Sequence, residues 1–244
     1  MRSTLPLKRN NRPLQVLICC LVLASVCKAQ QTYVSRYNVY TGFTDLDSPS
    51  YGLNQTGFHL QAGARLRKWI STGFDYTVAS GSEHLTQAKL TPAVQQQLAP
   101  ILLAFIRQGL IPPSYQLSVP TDVFTQTFTI GGEYMNRHFE KMTLFVRPSV
   151  AALREVATPH PTDAVSTLIV QGLTPSGHEL DWVGAYGAGG GADYIFARHL
   201  ALRTQLDVIY EHPFSDILLD GRWTLRYSIG PSFNFGRNIL ANSH

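Results

Sequence analysis

Cysteine is scarce in this chain and confined to its start: Cys19, Cys20 and Cys27 are all three of them. If that start is removed, no thiol is left to form a disulfide, ligate a metal or act as a nucleophile. Long apolar runs are equally scarce. The best of them, residues 16 to 26, falls well short of the roughly 18 residues that a membrane-crossing helix needs. Acidic residues are missing altogether from residues 1 to 29, which carry Arg2, Lys8, Arg9, Arg12 and Lys28. A basic head, a short apolar run and the small residues Cys27 and Ala29 read as a secretory signal peptide cleaved after Ala29. A lipoprotein start at Cys27 fails because the branched Val26 stands where a small residue is required.

Cleavage removes five of the 20 Lys+Arg and none of the 16 Asp+Glu, leaving fifteen against sixteen and a net charge of −1. The basic balance belongs to the leader, so nothing in the mature charge points to a nucleic-acid partner. His and Asp spacings give no metal site, and no cofactor is expected. The sharpest nucleotide-like motif, Gly187-Ala-Gly189-Gly-Gly-Ala192, matches a dinucleotide fingerprint that works only when a helix follows it. Here another strand-like run follows, and small residues that relieve crowding in a curved sheet are the better reading.

What the chain has instead is alternation. From Trp223 to Gly236 the apolar set Trp223, Leu225, Tyr227, Ile229, Pro231, Phe233 and Phe235 opposes Thr224, Arg226, Ser228, Gly230, Ser232 and Asn234. A period of two with one charge-free face is a strand with one oily side, and its length exceeds the 9 to 11 residues a tilted strand needs to cross a bilayer. The same pattern recurs from Tyr33 to Phe43, Phe58 to Leu66, Thr72 to Val78, Phe124 to Tyr134, Met142 to Val150, Trp182 to Phe196 and Leu200 to Glu211, which makes eight strands. Turns after the second, fourth and sixth are short, and the other connections are long. Pro148 and Pro231 fall inside strands, where local bulges are expected. In the longest connection Thr91-Pro92 starts, and Gly109, Pro112 and Pro113 end, an amphipathic helix over about 92–108. It could lid the barrel mouth, lie on the outer leaflet or dock a partner.

The run Ser228-Ile-Gly230-Pro-Ser-Phe233-Asn-Phe235 resembles the terminal assembly signal of bacterial outer-membrane proteins. With the hairpin-like segments 57 to 81 and 191 to 210, it is similar to the small outer-membrane β-barrel domain family, the OmpA/OmpX type. That resemblance implies an all-β, eight-stranded antiparallel transmembrane up-and-down barrel with one helix in a long extracellular loop. It implies a signal peptide at 1–29, a barrel at 30–236 and a tail at 237–244, since family members usually end on the aromatic. It further implies localisation in the bacterial outer membrane, contact with outer-membrane lipid, and a barrel-assembly machinery that reads Ser228, Gly230, Phe233 and Phe235.

The polar faces carry Arg36, Arg65, Asp75, Glu133, Arg147, Asp193, Arg203, Asp207, Glu211 and Arg226. Eight strands enclose room for side chains only, so a salt-bridged plug is preferred to a charged pore. The expected function is a non-enzymatic anchor, surface-loop scaffold or minor channel. Two alternatives stay open. A lipid-acyl hydrolase or transferase would have Glu211, His212 and Ser215 as its best candidate group, and a secreted lipocalin-like barrel would show the same alternation with its polarity reversed.

Overall fold

The computed structural model describes residues 31–240; the signal-peptide reading and the last residues of the tail lie outside them. Eight strands form one closed barrel in which every strand pairs antiparallel with its sequence neighbours. They are β1 (Ser35–Ser48), β2 (Leu53–Arg67), β3 (Ile70–Thr86), β4 (Ser118–Asn136), β5 (Met142–Pro159), β6 (Glu179–Ala197), β7 (Leu200–Glu211) and β8 (Arg222–Asn238). β1 closes on β8 through pairs such as Tyr37↔Phe235 and Phe43↔Ile229. Closure matters because it leaves no edge whose backbone groups would go unpaired in lipid.

Along the lower part of every strand the alternation sorts side chains as the pattern predicts. Trp223, Leu225, Tyr227, Phe233 and Phe235 point outward and are exposed, while Thr224, Arg226, Ser228 and Ser232 point inward and are buried. Outward aromatics gather in two bands. Tyr76, Phe128 and Trp182 form one contiguous group and Tyr186, Tyr210 and Trp223 another toward the long-loop end. Tyr37–Phe235 and Trp69–Tyr134 mark the short-turn end.

The strands run further than the simple alternation suggests, and the reason is a change of phase. In β4, Phe124, Phe128, Ile130 and Tyr134 face out while Thr125, Thr127, Thr129 and Glu133 face in; above Phe124 the apolar residues Val119 and Val123 are the inward ones, and Asp122 points out. β3 and β1 do likewise, with Leu85 packed against the cap interior and Leu46 buried. The oily side of β1, β3 and β4 thus swaps faces toward the long-loop end, where the sheet leaves the apolar belt, whereas β6 and β8 keep Leu180, Trp182 and Trp223 outward. Above that level the connections carry two helices, α1 (Pro92–Arg107) and α2 (Ala164–Leu173). α2 was not foreseen. Asp163 caps it, accepting from the backbone N–H of Val165 and Ser166, while the Ser166 hydroxyl accepts from the Asp163 N–H.

Neither proline produces a bulge. Pro148↔Ala188 and Pro231↔Leu202 pair in register on one side. On the other side, pairs are omitted between Gly131↔Ser149 and Tyr134↔Val146, and between Tyr40↔Ser232 and Phe43↔Ile229, with equal residue counts on both strands. Each proline points outward, and the sheet gives up ladder pairs locally without slipping.

Candidate functional site

The barrel interior is the most constrained chemistry in the molecule. Nine of the charges expected there are buried; Arg65, Asp75, Glu133, Arg147, Asp193, Arg203, Asp207, Glu211 and Arg226 all face the lumen. Arg36 does not. A register irregularity between Ser35 and Tyr37 takes it out of the inward phase, and it lies half-buried against the Tyr37 ring.

These groups form three layers. At the short-turn end Arg203 spans two carboxylates, its Nε 2.7 Å from Asp193 Oδ1 and its Nη1 2.9 Å from Glu133 Oε1. Gln61 and Ser71 supply further donors to Glu133. In the middle Arg226 Nη2 lies 2.6 Å from Asp207 Oδ2, Arg147 pairs with Asp75, and His59 joins them, 3.4 Å from Asp75 and 3.1 Å from the Ser228 hydroxyl. At the long-loop end Arg222 donates from Nε to Glu211 (2.7 Å) and from both terminal nitrogens to Glu155. Thr125 and Thr224 donate to those two carboxylates.

Arg222 and Glu155 were missed as interior groups because they fall where loops were expected. Their parity was the available signal, since Glu155 is in phase with Arg147 on β5 and Arg222 with Arg226 on β8. Side chains this large fit because glycines face them. A Cβ at Gly189 would come within 1.9 Å of Asp207 Oδ1, whereas one at Gly230 would strike backbone, 2.2 Å from the Thr41 carbonyl, so that glycine permits close approach of β1 and β8. The fingerprint-like run at Gly187 to Ala192 is therefore a stretch of β6 making room for the middle layer, with no helix following it.

Above the top layer sits an apolar cap. Leu90, Val94, Leu98, Ile111, Leu117 and Val119 bury one face of α1 against Val165, Ile169 and Val170 of α2. A second cluster joins Tyr51, Leu53, Val123, Phe214 and Leu218. Phe214 adopts a left-handed backbone conformation (φ 53°), and its N–H donates to Asp181 at 2.6 Å. Lys89 ties the β3–β4 connection to the upper end of β3 and to the β1–β2 turn, donating to Glu83 Oε2 and to the His84 and Tyr51 carbonyls. Of the three placements open to the first helix, the structure shows a packed lid.

The best hydrolase candidate does not assemble. Glu211 is committed to Arg222 and Thr224, and the His212 ring meets the Leu218 carbonyl, 3.3 Å away.

No family model matches the chain, and no curated protein does. Solved structures do. Neisserial surface protein A superposes with a TM-score of 0.52 at 11% identity, over 82% of this chain and 98% of that one. The outer membrane protein OprG from Pseudomonas aeruginosa gives 0.51 at 11% identity, over 85% and 99%. This chain has the fold of the small outer-membrane β-barrels. At that identity the kinship is one of architecture, and the polarity of the faces agrees with it: apolar outside, charged within, the reverse of a lipocalin. In this barrel the terminal-signal residues split by parity. Ser228 and Gly230 face the lumen, while Phe233 and Phe235 stand on the outer surface near its short-turn rim.

Proposed function

We propose that this protein is a non-enzymatic integral outer-membrane barrel whose sealed body anchors a folded cap at the cell surface. The observation that carries this reading is the lumen, where three layers of buried, ion-paired side chains fill the space between the strands. Such layers leave no continuous path for a solute, which favours an anchor and scaffold over a minor channel. Barrels of this kind keep short turns in the periplasm and long connections outside, which supports a lid of α1 and α2 that faces the surroundings. Strand β8, with Phe233 and Phe235 outward, is the element through which assembly machinery would recognise the chain, and lipid is the partner of the outer belt. Glu211 and His212 are held in separate contacts and Ser215 is exposed, which favours this reading over a lipid-acyl hydrolase.

Planar-bilayer recording of the refolded protein is the direct test. The expected trace has no discrete conductance steps; reproducible ohmic steps at neutral pH would replace the anchor with a channel. Detergent extraction separates the remaining alternative, since recovery from the soluble periplasmic fraction would rule out an integral barrel.

A further inference from the structure

Among the described residues, four of the five arginines in the lumen pair with a carboxylate at contact distance; Arg65 has none that close. Arg147, Arg203, Arg222 and Arg226 each have an Asp or Glu oxygen within 4.0 Å. Arg65, which is 3% exposed, donates only to neutral acceptors, the Ser35 carbonyl at 2.8 Å and the Asn234 side-chain oxygen at 2.6 Å. Its Nε is buried with no partner among the described residues. Arg137, in the β4–β5 turn, repeats the pattern, donating to the Lys68 carbonyl, the Gln31 amide oxygen, the Thr143 hydroxyl and the Met135 sulfur.

Both guanidinium groups line one cavity of about 570 Å³ at the short-turn mouth. Lys141 and Arg198 stand on its rim against a single rim carboxylate, Glu140. Asp193 also lines it, but both its oxygens are held by Arg203, at 2.7 and 3.0 Å. Tyr33, Ile195 and Phe196 give the wall an apolar side. Asp193 and Glu133 attract both guanidinium groups at longer range, but desolvation outweighs that pull. A buried guanidinium hydrogen-bonded to neutral acceptors alone is thus only partly compensated, and its planar fork suits a two-oxygen anion.

We propose that this mouth is a binding site for a small organic or inorganic oxyanion, a carboxylate or a phosphate, clamped between Arg65 and Arg137 with its body against Tyr33 and Phe196. The cavity's volume lies in the range of small-molecule sites, so an anion with a modest organic body fits as well as a bare one. The site does not rest on the anchor reading, because occupancy at the mouth requires no passage through the lumen.

Calorimetric titration of the full-length protein refolded in detergent tests it, with inorganic phosphate and N-acetylalanine as separate probes. Saturable binding of at least one probe is expected, weakened roughly tenfold or more by Arg137→Gln and by Arg65→Gln, and unchanged by Arg36→Gln, which alters an arginine outside the cavity. Binding of phosphate alone identifies a phosphate-type ligand, and binding of N-acetylalanine alone a carboxylate such as a peptide terminus. Heat-modifiable mobility checks that Arg65→Gln still folds, and Arg137→Gln, at the half-buried rim, carries the test if it does not. No saturable binding of either probe up to about 10 mM, or equal affinity in wild type and Arg137→Gln, overturns the proposal.

Discussion

The molecule has two interiors built on opposite principles. Inside the membrane-level barrel the core is ionic and hydrogen-bonded, while the cap a few residues further along the same strands has a core of Leu, Val and Ile. The difference follows from what surrounds each. Lipid outside the barrel rewards apolar side chains on the outer face, so the polar residues of a period-two strand have nowhere to go but inward. Above the belt water takes the outer face, and strands such as β1, β2 and β4 return apolar residues (Leu46, Leu53, Val119, Val123) to the inside by the hydrophobic effect. β4 makes the exchange between Val123 and Phe124.

If the barrel core is held by paired charges, removing one partner should be the most damaging change available. Asp207 serves Arg226 at 2.6 Å and lies 4.0 Å from Arg147. Asp207→Ala leaves both cations without that carboxylate in a buried site, an expected loss of about 3–5 kcal/mol read from urea unfolding in lipid vesicles. A loss within about 0.5 kcal/mol, typical of a surface substitution, would mean that the layer is not a core at all. The outer face of the same barrel answers to the opposite chemistry. Tyr227 points outward from the middle of β8 and is 45% exposed, so Tyr227→Arg should cost about 2–4 kcal/mol by the same measurement and lower the membrane-inserted yield.

The comparison also explains what could be read without coordinates. The eight strands, their order and the inward phase of Arg147, Asp193, Arg203 and Arg226 follow from alternation, because one oily face persists through the lipid-level segment. The upper halves of β3, β4 and β5 were hidden because their apolar residues change parity, so Val119 and Val123 look like noise beside Phe124 and Phe128. Glu155 went with the hidden end of β5, and Arg222 was left in the loop because it stands one residue before the alternating run that opens at Trp223. Arg36 failed for the converse reason: parity was carried through an irregularity that leaves no mark in composition. Which carboxylate meets which arginine depends on register between strands far apart in sequence, such as Arg226 with Asp75, and no local pattern encodes it.

In the cap, damage should stay local. Leu98 is buried between α1 and α2, and Leu98→Ala should cost about 2–3 kcal/mol, toward the low end for a buried leucine because the other side of α1 is open to solvent. Trypsin cutting at Lys89 and Arg107 should accelerate while the barrel keeps its heat-modifiable mobility. Loss of that mobility would show that the two interiors are one cooperative unit.

The smallest expected effect isolates a single turn of the cap. Asp163 is largely exposed, and its carboxyl is held below the usual carboxylate range: partial burial pushes it up, but the Ser166 N–H and hydroxyl, the Tyr115 hydroxyl and the Val165 N–H together outweigh that. A carboxyl with a depressed folded value contributes stability that is complete above its unfolded value, near pH 4. That stability fades as pH falls through the lower folded value. Protonation should therefore loosen the first turn of α2 only under strongly acidic conditions, and hydrogen exchange at Val165 and Ser166 should stay slow down to the ordinary carboxylate range. Asp163→Ala should cost about 1 kcal/mol of local stability at neutral pH, seen as faster exchange at those two amides, whereas Asp163→Asn keeps an acceptor and should be milder and insensitive to acid. Because the cap's apolar cluster and not this turn holds α2 to the barrel, neither substitution should alter unfolding of the lumen. A shift in barrel unfolding with Asp163→Ala would instead place the helix cap among the supports of the ionic core.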